Sequence, residues 1–177
     1  MKATGIVRRI DDLGRVVSPK EIRRSLRIRE GDPLEIYTET DGSVVFRKYS
    51  PVGGLSRVSA EYAEAINRTS GIPIAICDRD SVVAVSGVPR KDYVEKPISN
   101  GLSGVLSTRR SYSRENNSAQ IKVTEQEGVV NYLSPIVSEG NVIGAVMSLK
   151  QDGRSLDGSE KKLVDAGAYF ISTQTVI

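Results

Sequence analysis

Lys2–Arg29 reads KATGIVRRIDDLGRVVSPKEIRRSLRIR. Nine basic residues (Lys2, Arg8, Arg9, Arg15, Lys20, Arg23, Arg24, Arg27 and Arg29) stand there against three acids, Asp11, Asp12 and Glu21. Residues 30–50 add two basic and five acidic side chains, and residues 51–177 carry fourteen of each sign. The whole formal net charge of +3 therefore lies in the first fifty residues. An asymmetry of that kind points to a polyanionic partner.

The local pattern gives this charge a shape. Ser18-Pro19-Lys20-Glu21 predicts a helix start, with Ser18 as N-cap, Pro19 at the first helical position and Glu21 closing a capping box. At about 100° per residue, Lys20, Arg23, Arg24 and Arg27 share one face, while Ile22 and Leu26 lie together opposite. A face so cationic repels itself until an anion neutralises it. Gly5–Ile10 and Arg15–Val17 predict two strands around the turn Asp11-Asp12-Leu13-Gly14, which lets Arg8 and Arg15 reach a common ligand. Leu34–Tyr37 and Val44–Arg47 predict a second hairpin, with Asp41-Gly42 as its turn signal. Four strands and one short helix cannot bury a sufficient core alone. With no cysteine or histidine in the segment to staple it, this half is expected to fold as a dimer.

TGIVRRIDDLGRVVSPKEIRRSLRIREGDPLEIY resembles the AbrB-like swapped-hairpin DNA-binding domain of bacterial transition-state regulators. The marks are the Gly-Ile-Val-Arg strand, the Leu-Gly-Arg turn, the Val-Val-x-Pro-x-Glu-x-Arg-Arg helix entry and the Gly-Asp-x-Leu-Glu-Ile strand. The resemblance implies a small β-barrel made by interleaving two hairpins from two chains, an intertwined homodimer. It also implies DNA contacts by Arg8, Arg15, Arg23 and Arg24, with Arg9 and Lys20 as accessories. Ser18 departs from the family, which usually has Ile there; its capping role is expected to offset part of the lost packing.

The rest of the chain reads differently. Tyr49-Ser50-Pro51-Val52-Gly53-Gly54 has the composition of a boundary, so the expected organisation is a domain over residues 1–50, a linker over 51–54 and a second domain over 55–177. Leu55, Val58, Tyr62, Ala65 and Ile66 recur at helical spacing. Ile72–Cys77 and Ser81–Val85 predict strands flanking Asp78-Arg79-Asp80. A helix is expected between Ile98 and Leu106 and a polar loop from Ser111 to Ser118. Asn131–Val137 and Val142–Leu149 predict a hairpin around Glu139-Gly140-Asn141. A last helix starts near Gly158, capped by Asp157 with Glu160 three residues on, and turns Leu163, Ala166, Gly167, Phe170 and Ile171 inward.

Several functions are excluded by composition. A single cysteine, Cys77, leaves no intrachain disulfide and no Cys-based zinc site, and the absence of histidine removes Ser-His triads and His-metal clusters. Asp78 and Asp80 read as turn residues, and nothing completes an enzymatic site. No apolar run approaches the roughly 18 residues of a membrane span, and the chain opens on structure-forming sequence, so no membrane and a cytoplasmic, nucleoid-associated location are expected.

Residues 55–177, with their hairpin of the form Pro-Ile-x-x-x-Gly-x-x-Ile-Gly-Ala, resemble a GAF domain. The Asn-Lys-x-Phe-Asp-Glu signature of cyclic-nucleotide binders is missing, and so are the several cysteines of the methionine-sulfoxide-reducing version. An AbrB-like head followed by a GAF-like tail is similar to the stage V sporulation protein T family. That resemblance implies an α+β chain whose swapped-hairpin barrel binds double-stranded DNA, with some preference for sequence, and whose tail senses an unidentified small-molecule effector or joins dimers into a tetramer. The expected function is a transcription regulator of sporulation genes, activator and repressor, without cofactor or metal. A MazE-type antitoxin that represses its own synthesis and a cytoplasmic metabolite-sensing module are the other readings.

Overall fold

The computed structural model describes residues 4–116 and 119–175, so Lys2 lies outside the described residues. The chain divides into two compact units between Tyr49 and Ser50.

The first unit holds a short helix, α1 (Lys20–Ser25), and one hairpin, β1 (Leu34–Thr38) and β2 (Val44–Lys48). The hairpin runs in register from Leu34 opposite Lys48 to Thr38 opposite Val44. Its turn is set by Asp41, whose Oδ1 accepts the Ser43 N–H at 2.8 Å, and by Gly42 at φ +86°. Three expectations are corrected here. Gly5–Ile10 and Arg15–Val17 join no ladder among the described residues, because a strand exists only through a neighbour and neither segment finds one within this unit. The N-cap of α1 is Pro19, not Ser18, and no side chain caps the helix. Pro19 keeps ψ at 145°, so the helix starts one residue late, and the capping box of Ser18 and Glu21 does not form. Arg27 is also off the helix: α1 closes with Ile28 N–H on the Arg23 carbonyl at 2.7 Å and Arg27 N–H on Arg24 at 3.2 Å, a Schellman-like ending.

Because Ser18 makes no cap, restoring a branched apolar side chain at this half-buried position gives up no hydrogen bond. Ser18→Ile should leave the melting temperature of the intact protein unchanged or raise it, and leave DNA binding intact. A large fall in melting temperature, followed by circular dichroism, would mean that the hydroxyl has another structural role.

The second unit is a five-stranded antiparallel sheet covered on both faces. Its strands are β3 (Ile74–Asp78), β4 (Val82–Ser86), β5 (Tyr112–Ser113), β6 (Val130–Ser138) and β7 (Asn141–Leu149), in the order β4-β3-β7-β6-β5. One face places Ile74, Ile76, Ile136 and Val146 against α2 (Pro51–Gly54), α3 (Ser56–Ser70) and α5 (Gly158–Gln174), through Val52, Ala63, Ile66, Val164, Ala168 and Ile171. The other face buries Ala75, Cys77, Leu133, Ala145 and Met147 under α4 (Asn100–Ser107) and the irregular segments, through Leu102, Leu106, Tyr93, Tyr112 and Val123. Burial on both faces explains why the strands read as continuous apolar runs.

Residues 51–54, expected as a linker, form α2, and Val52 is fully buried. Ser50 caps it by accepting the Gly53 N–H at 2.9 Å while its hydroxyl donates to Asp78 Oδ2 at 2.7 Å. The polar loop expected from Ser111 contains β5 and a 3-10 turn at Arg114–Asn116, while residues 117 and 118 lie outside the described residues. The inward faces of the two long helices are shifted from expectation. Helix α3 buries Ser59, Ala63 and Ile66, with Ala65 exposed, and α5 buries Val164, Gly167, Ala168 and Ile171, with Ala166 and Phe170 exposed. The capping box at the start of α5 is found, Asp157 Oδ1 accepting the Glu160 N–H at 2.8 Å and Glu160 Oε2 accepting the Asp157 N–H at 3.1 Å. Arg154 then ties this cap to the end of α3, donating to the Ser70 carbonyl at 3.1 Å and pairing with Glu160.

Candidate nucleic-acid interface

The six basic residues expected to meet DNA are all on the surface. Arg8, Arg9, Arg15, Lys20, Arg23 and Arg24 are exposed. Arg8, Arg9, Lys20, Arg23 and Arg24 pair with no acid among the described residues. Unneutralised guanidinium groups at adjacent positions on one short helix cost electrostatic energy in the free protein. An anion that met them would relieve it.

Arg15 is the exception, and its partner is informative. Asp11 organises the turn through three donors: its Oδ1 accepts Arg15 N–H at 2.7 Å and Leu13 N–H at 3.0 Å, and its Oδ2 accepts Arg15 Nε–H at 2.8 Å. Gly14, at φ +77°, closes the same turn with its N–H on the Asp11 carbonyl at 3.0 Å. Asp11 takes only Nε, so the terminal edge of the Arg15 fork stays open for a bidentate acceptor such as phosphate or guanine. Sequence reading assigned Arg15 and missed Asp11. An Asx-turn aspartate at the head of Asp-Asp-Leu-Gly was the signal that pointed to it.

The Arg15 N–H first, and then the Arg15 side chain, hold the Asp11 carboxyl below its ordinary range. A depressed folded value means that the stabilisation is present above the ordinary carboxylate pKa and disappears as pH falls through the folded one. Carbon NMR of the Asp11 carboxyl should therefore give a midpoint below that of an unstructured aspartate, and Arg15→Ala should move it upward. An identical midpoint in the two proteins would mean that the guanidinium is not held.

The segment leaving α1 is fixed by a different cluster. Lys48 Nζ donates to the Arg27 carbonyl at 3.0 Å and lies 3.4 Å from Asp32 Oδ2. Asp32 Oδ2 also accepts the Arg29 N–H at 2.8 Å. Arg47, in contrast, stacks on Tyr37 with its guanidinium carbon 4.8 Å from the ring centre, a cation–π contact on the hairpin surface.

Comparison with known proteins places the whole chain. Residues 54–175 match the family model described as stage V sporulation protein T C-terminal, transcription factor. Over 176 residues, 98% of this chain and 98% of the relative, the sequence is 48% identical to stage V sporulation protein T of Bacillus subtilis (strain 168). The chain belongs to the stage V sporulation protein T family. Residues 7–53 match the model for antidote-toxin recognition MazE, bacterial antitoxin. The transition state regulatory protein AbrB of the same organism is 57% identical over 51 residues, 29% of this chain and 52% of that protein. The second unit aligns with the crystal structure of the GAF domain from Acinetobacter phosphoenolpyruvate-protein phosphotransferase at a TM-score of 0.55, covering 68% of this chain and 81% of that one. At 9% identity this likeness concerns fold alone. The α+β class, with an AbrB-like head and a GAF-like tail, is thus the one read from the sequence.

Proposed function

We propose that this chain is a double-stranded DNA-binding transcription regulator of sporulation genes, and that it acts as an intertwined dimer. The observation that carries the proposal is the set of exposed cations on and around α1, five of them without an acidic partner among the described residues and the sixth aimed by Asp11. In this reading Arg8, Arg15, Arg23 and Arg24 meet the duplex, with Arg9 and Lys20 beside them. Phosphate contacts supply most of the affinity, and log K falls with log salt by about 0.9 for each phosphate neutralised. A helix of six residues offers few side chains to base edges, so DNA shape and deformability carry much of the preference.

The apolar surface of the first unit supports a second copy. Val7 is 88% exposed, Val17 71%, Leu13 70% and Ile10 69%, and Leu26, Ile36, Val44 and Phe46 are more than half exposed. So many unburied large side chains within about fifty residues call for a partner surface. The two segments without ladder partners, Gly5–Ile10 and Arg15–Val17, are the ones an interleaved hairpin would pair. In this reading the first domain ends near residue 50, and the second includes α2, whose Val52 is buried in its core.

The GAF-like tail either senses a small molecule or joins two dimers into a tetramer, which would let one assembly hold two DNA sites and raise avidity without new contacts. Activation and repression both follow from where such an assembly sits relative to a promoter. Cys77, the one thiol of the chain, offers no nucleophile: it is fully buried, and burial first and Asp78 second push its pKa up, so it stays protonated in the core. No helix among the described residues is long and apolar enough to cross a membrane; the cytoplasmic, nucleoid-associated location is part of the DNA-binding reading. The match of residues 7–53 to an antitoxin model favours the MazE-type antitoxin reading. A folded five-stranded tail in place of a loose toxin-binding segment argues against it.

Native mass spectrometry of the intact protein with a DNA duplex tests the proposal directly. Complexes carrying two or four chains per duplex are expected, together with dimers or tetramers in the absence of DNA. A monomer that leaves the duplex free would overturn it.

A further inference from the structure

Arg27 stands just beyond α1 at φ +52°, a left-handed conformation that side chains of its kind avoid. Its place is held from outside the helix. Lys48 reaches back to its carbonyl from the end of β2, and Asp32, whose side chain is only 7% exposed, matches the Lys48 charge while accepting the Arg29 N–H. Two backbone groups of the segment leaving α1 therefore hang on one ion pair, and that ion pair is rooted in the five-pair ladder of β1 and β2. Helix α1 has no side-chain cap and no buried residue, so its own packing does little to fix where Arg23 and Arg24 point. The Ile28 N–H on the Arg23 carbonyl passes the position of the clasped segment straight to those arginines.

We propose that Lys48 and Asp32 are positioning residues for DNA recognition: their ion pair clasps the exit of α1 to β2 and so sets the direction of Arg23 and Arg24. The proposal rests on the DNA-binding reading above. A lysine on a cationic surface is ordinarily read as a phosphate contact, and the two roles predict opposite signs. Asp32→Asn removes a negative charge and breaks the ion pair with Lys48. If Lys48 served as a phosphate contact, this variant would bind DNA more tightly. If the clasp aims the helix, it binds more weakly, although the protein has become more positive.

The test is fluorescence anisotropy of a labelled random-sequence duplex with the intact full-length protein over a salt series, with circular dichroism of each variant. Asp32→Asn and Lys48→Met should each weaken binding about tenfold, the scale of one lost charge-assisted hydrogen bond, with the salt slope of the wild type. The double variant should be no weaker than either single one. Lys48→Arg, which keeps charge and donors, should recover part of the affinity. Unchanged or tighter binding by Asp32→Asn overturns the proposal, as does a Lys48→Met slope shallower by about 0.9 per chain, the mark of a lost phosphate contact. Should Lys48→Met fail to fold, Asp32→Asn decides, because its side-chain amide oxygen still accepts the Arg29 N–H. Wild-type protein that ignores the duplex, or Arg23→Ala/Arg24→Ala protein that binds like wild type, would instead remove the DNA-binding reading beneath it.

Discussion

Replacing Arg23 and Arg24 together by alanine is expected to weaken duplex binding by about a hundredfold and to flatten its salt dependence. In a dimer the change removes four guanidinium groups. If each meets a phosphate, the slope of log K against log salt falls by about 3 to 4. Neither residue touches the core: α1 buries none of its side chains, and both arginines lack an acidic partner among the described residues. The melting temperature should therefore stay near wild type, which separates lost recognition from lost folding. Anisotropy titrations over a salt series read the first quantity and circular dichroism the second. Undiminished affinity would move the DNA-contacting surface away from α1.

The largest effect on stability is expected at Gly144. It pairs with Asp78 on one side and Ile136 on the other, in the middle of the sheet. A Cβ built there lies 2.1 Å from the Cys77 carbonyl oxygen and 3.1 Å from the Asp78 Cα, both backbone atoms. Strands β3 and β7 would have to part to admit it, so Gly144→Ala should cost about 3 kcal/mol or more. That corresponds to a fall of about 10 °C in melting temperature for a chain of this size. Gly167 offers an internal contrast. A Cβ there meets the ring of Tyr62 at 2.4 Å, but that ring is half-exposed and can turn, giving up its stacking on Phe170 at 5.7 Å and its hydrogen bond to the Leu163 carbonyl at 2.9 Å. Gly167→Ala should cost about 1 kcal/mol. Equal melting temperatures for the two variants would mean that the β3–β7 approach is softer than its geometry indicates.

Where the sequence was legible, the signal was local and chemical. Asp41-Gly42 marks its hairpin because one side chain and one positive φ make the turn. Asp157 and Glu160 mark the start of α5 because both hydrogen bonds of the capping box lie within four residues. The Pro-Ile-x-x-x-Gly-x-x-Ile-Gly-Ala hairpin was readable for the same reason: Glu139 and Gly140 both take positive φ at its turn.

Where reading failed, the deciding partner was distant or the backbone departed from its usual signal. Gly5–Ile10 alternates like a strand, yet a strand needs a neighbour that this unit does not supply. Pro19 suits either the first helical position or the residue before it, and the choice turns on a ψ angle that composition does not encode. Arg27 fits the helical period of Lys20, Arg23 and Arg24. Its left-handed turn carries no glycine, and what holds it is Lys48, twenty-one residues away. The stripe of α3 settled on Ser59, Ala63 and Ile66 because contact with β3 and β4 selects the face, and small residues there admit close packing. The basic residues of the candidate interface were legible as a set. Their geometry was not, since Asp11 and Asp32 act through hydrogen bonds to backbone groups that leave no periodic trace.

The most direct test of the central claim is the salt dependence of duplex binding by the intact wild-type protein. Twelve cations, Arg8, Arg9, Arg15, Lys20, Arg23 and Arg24 from each of two chains, are available to the duplex. With about half of them on phosphates, log K should fall against log salt with a slope of about −5 or steeper. A slope near zero, or no binding at low salt, would contradict the account.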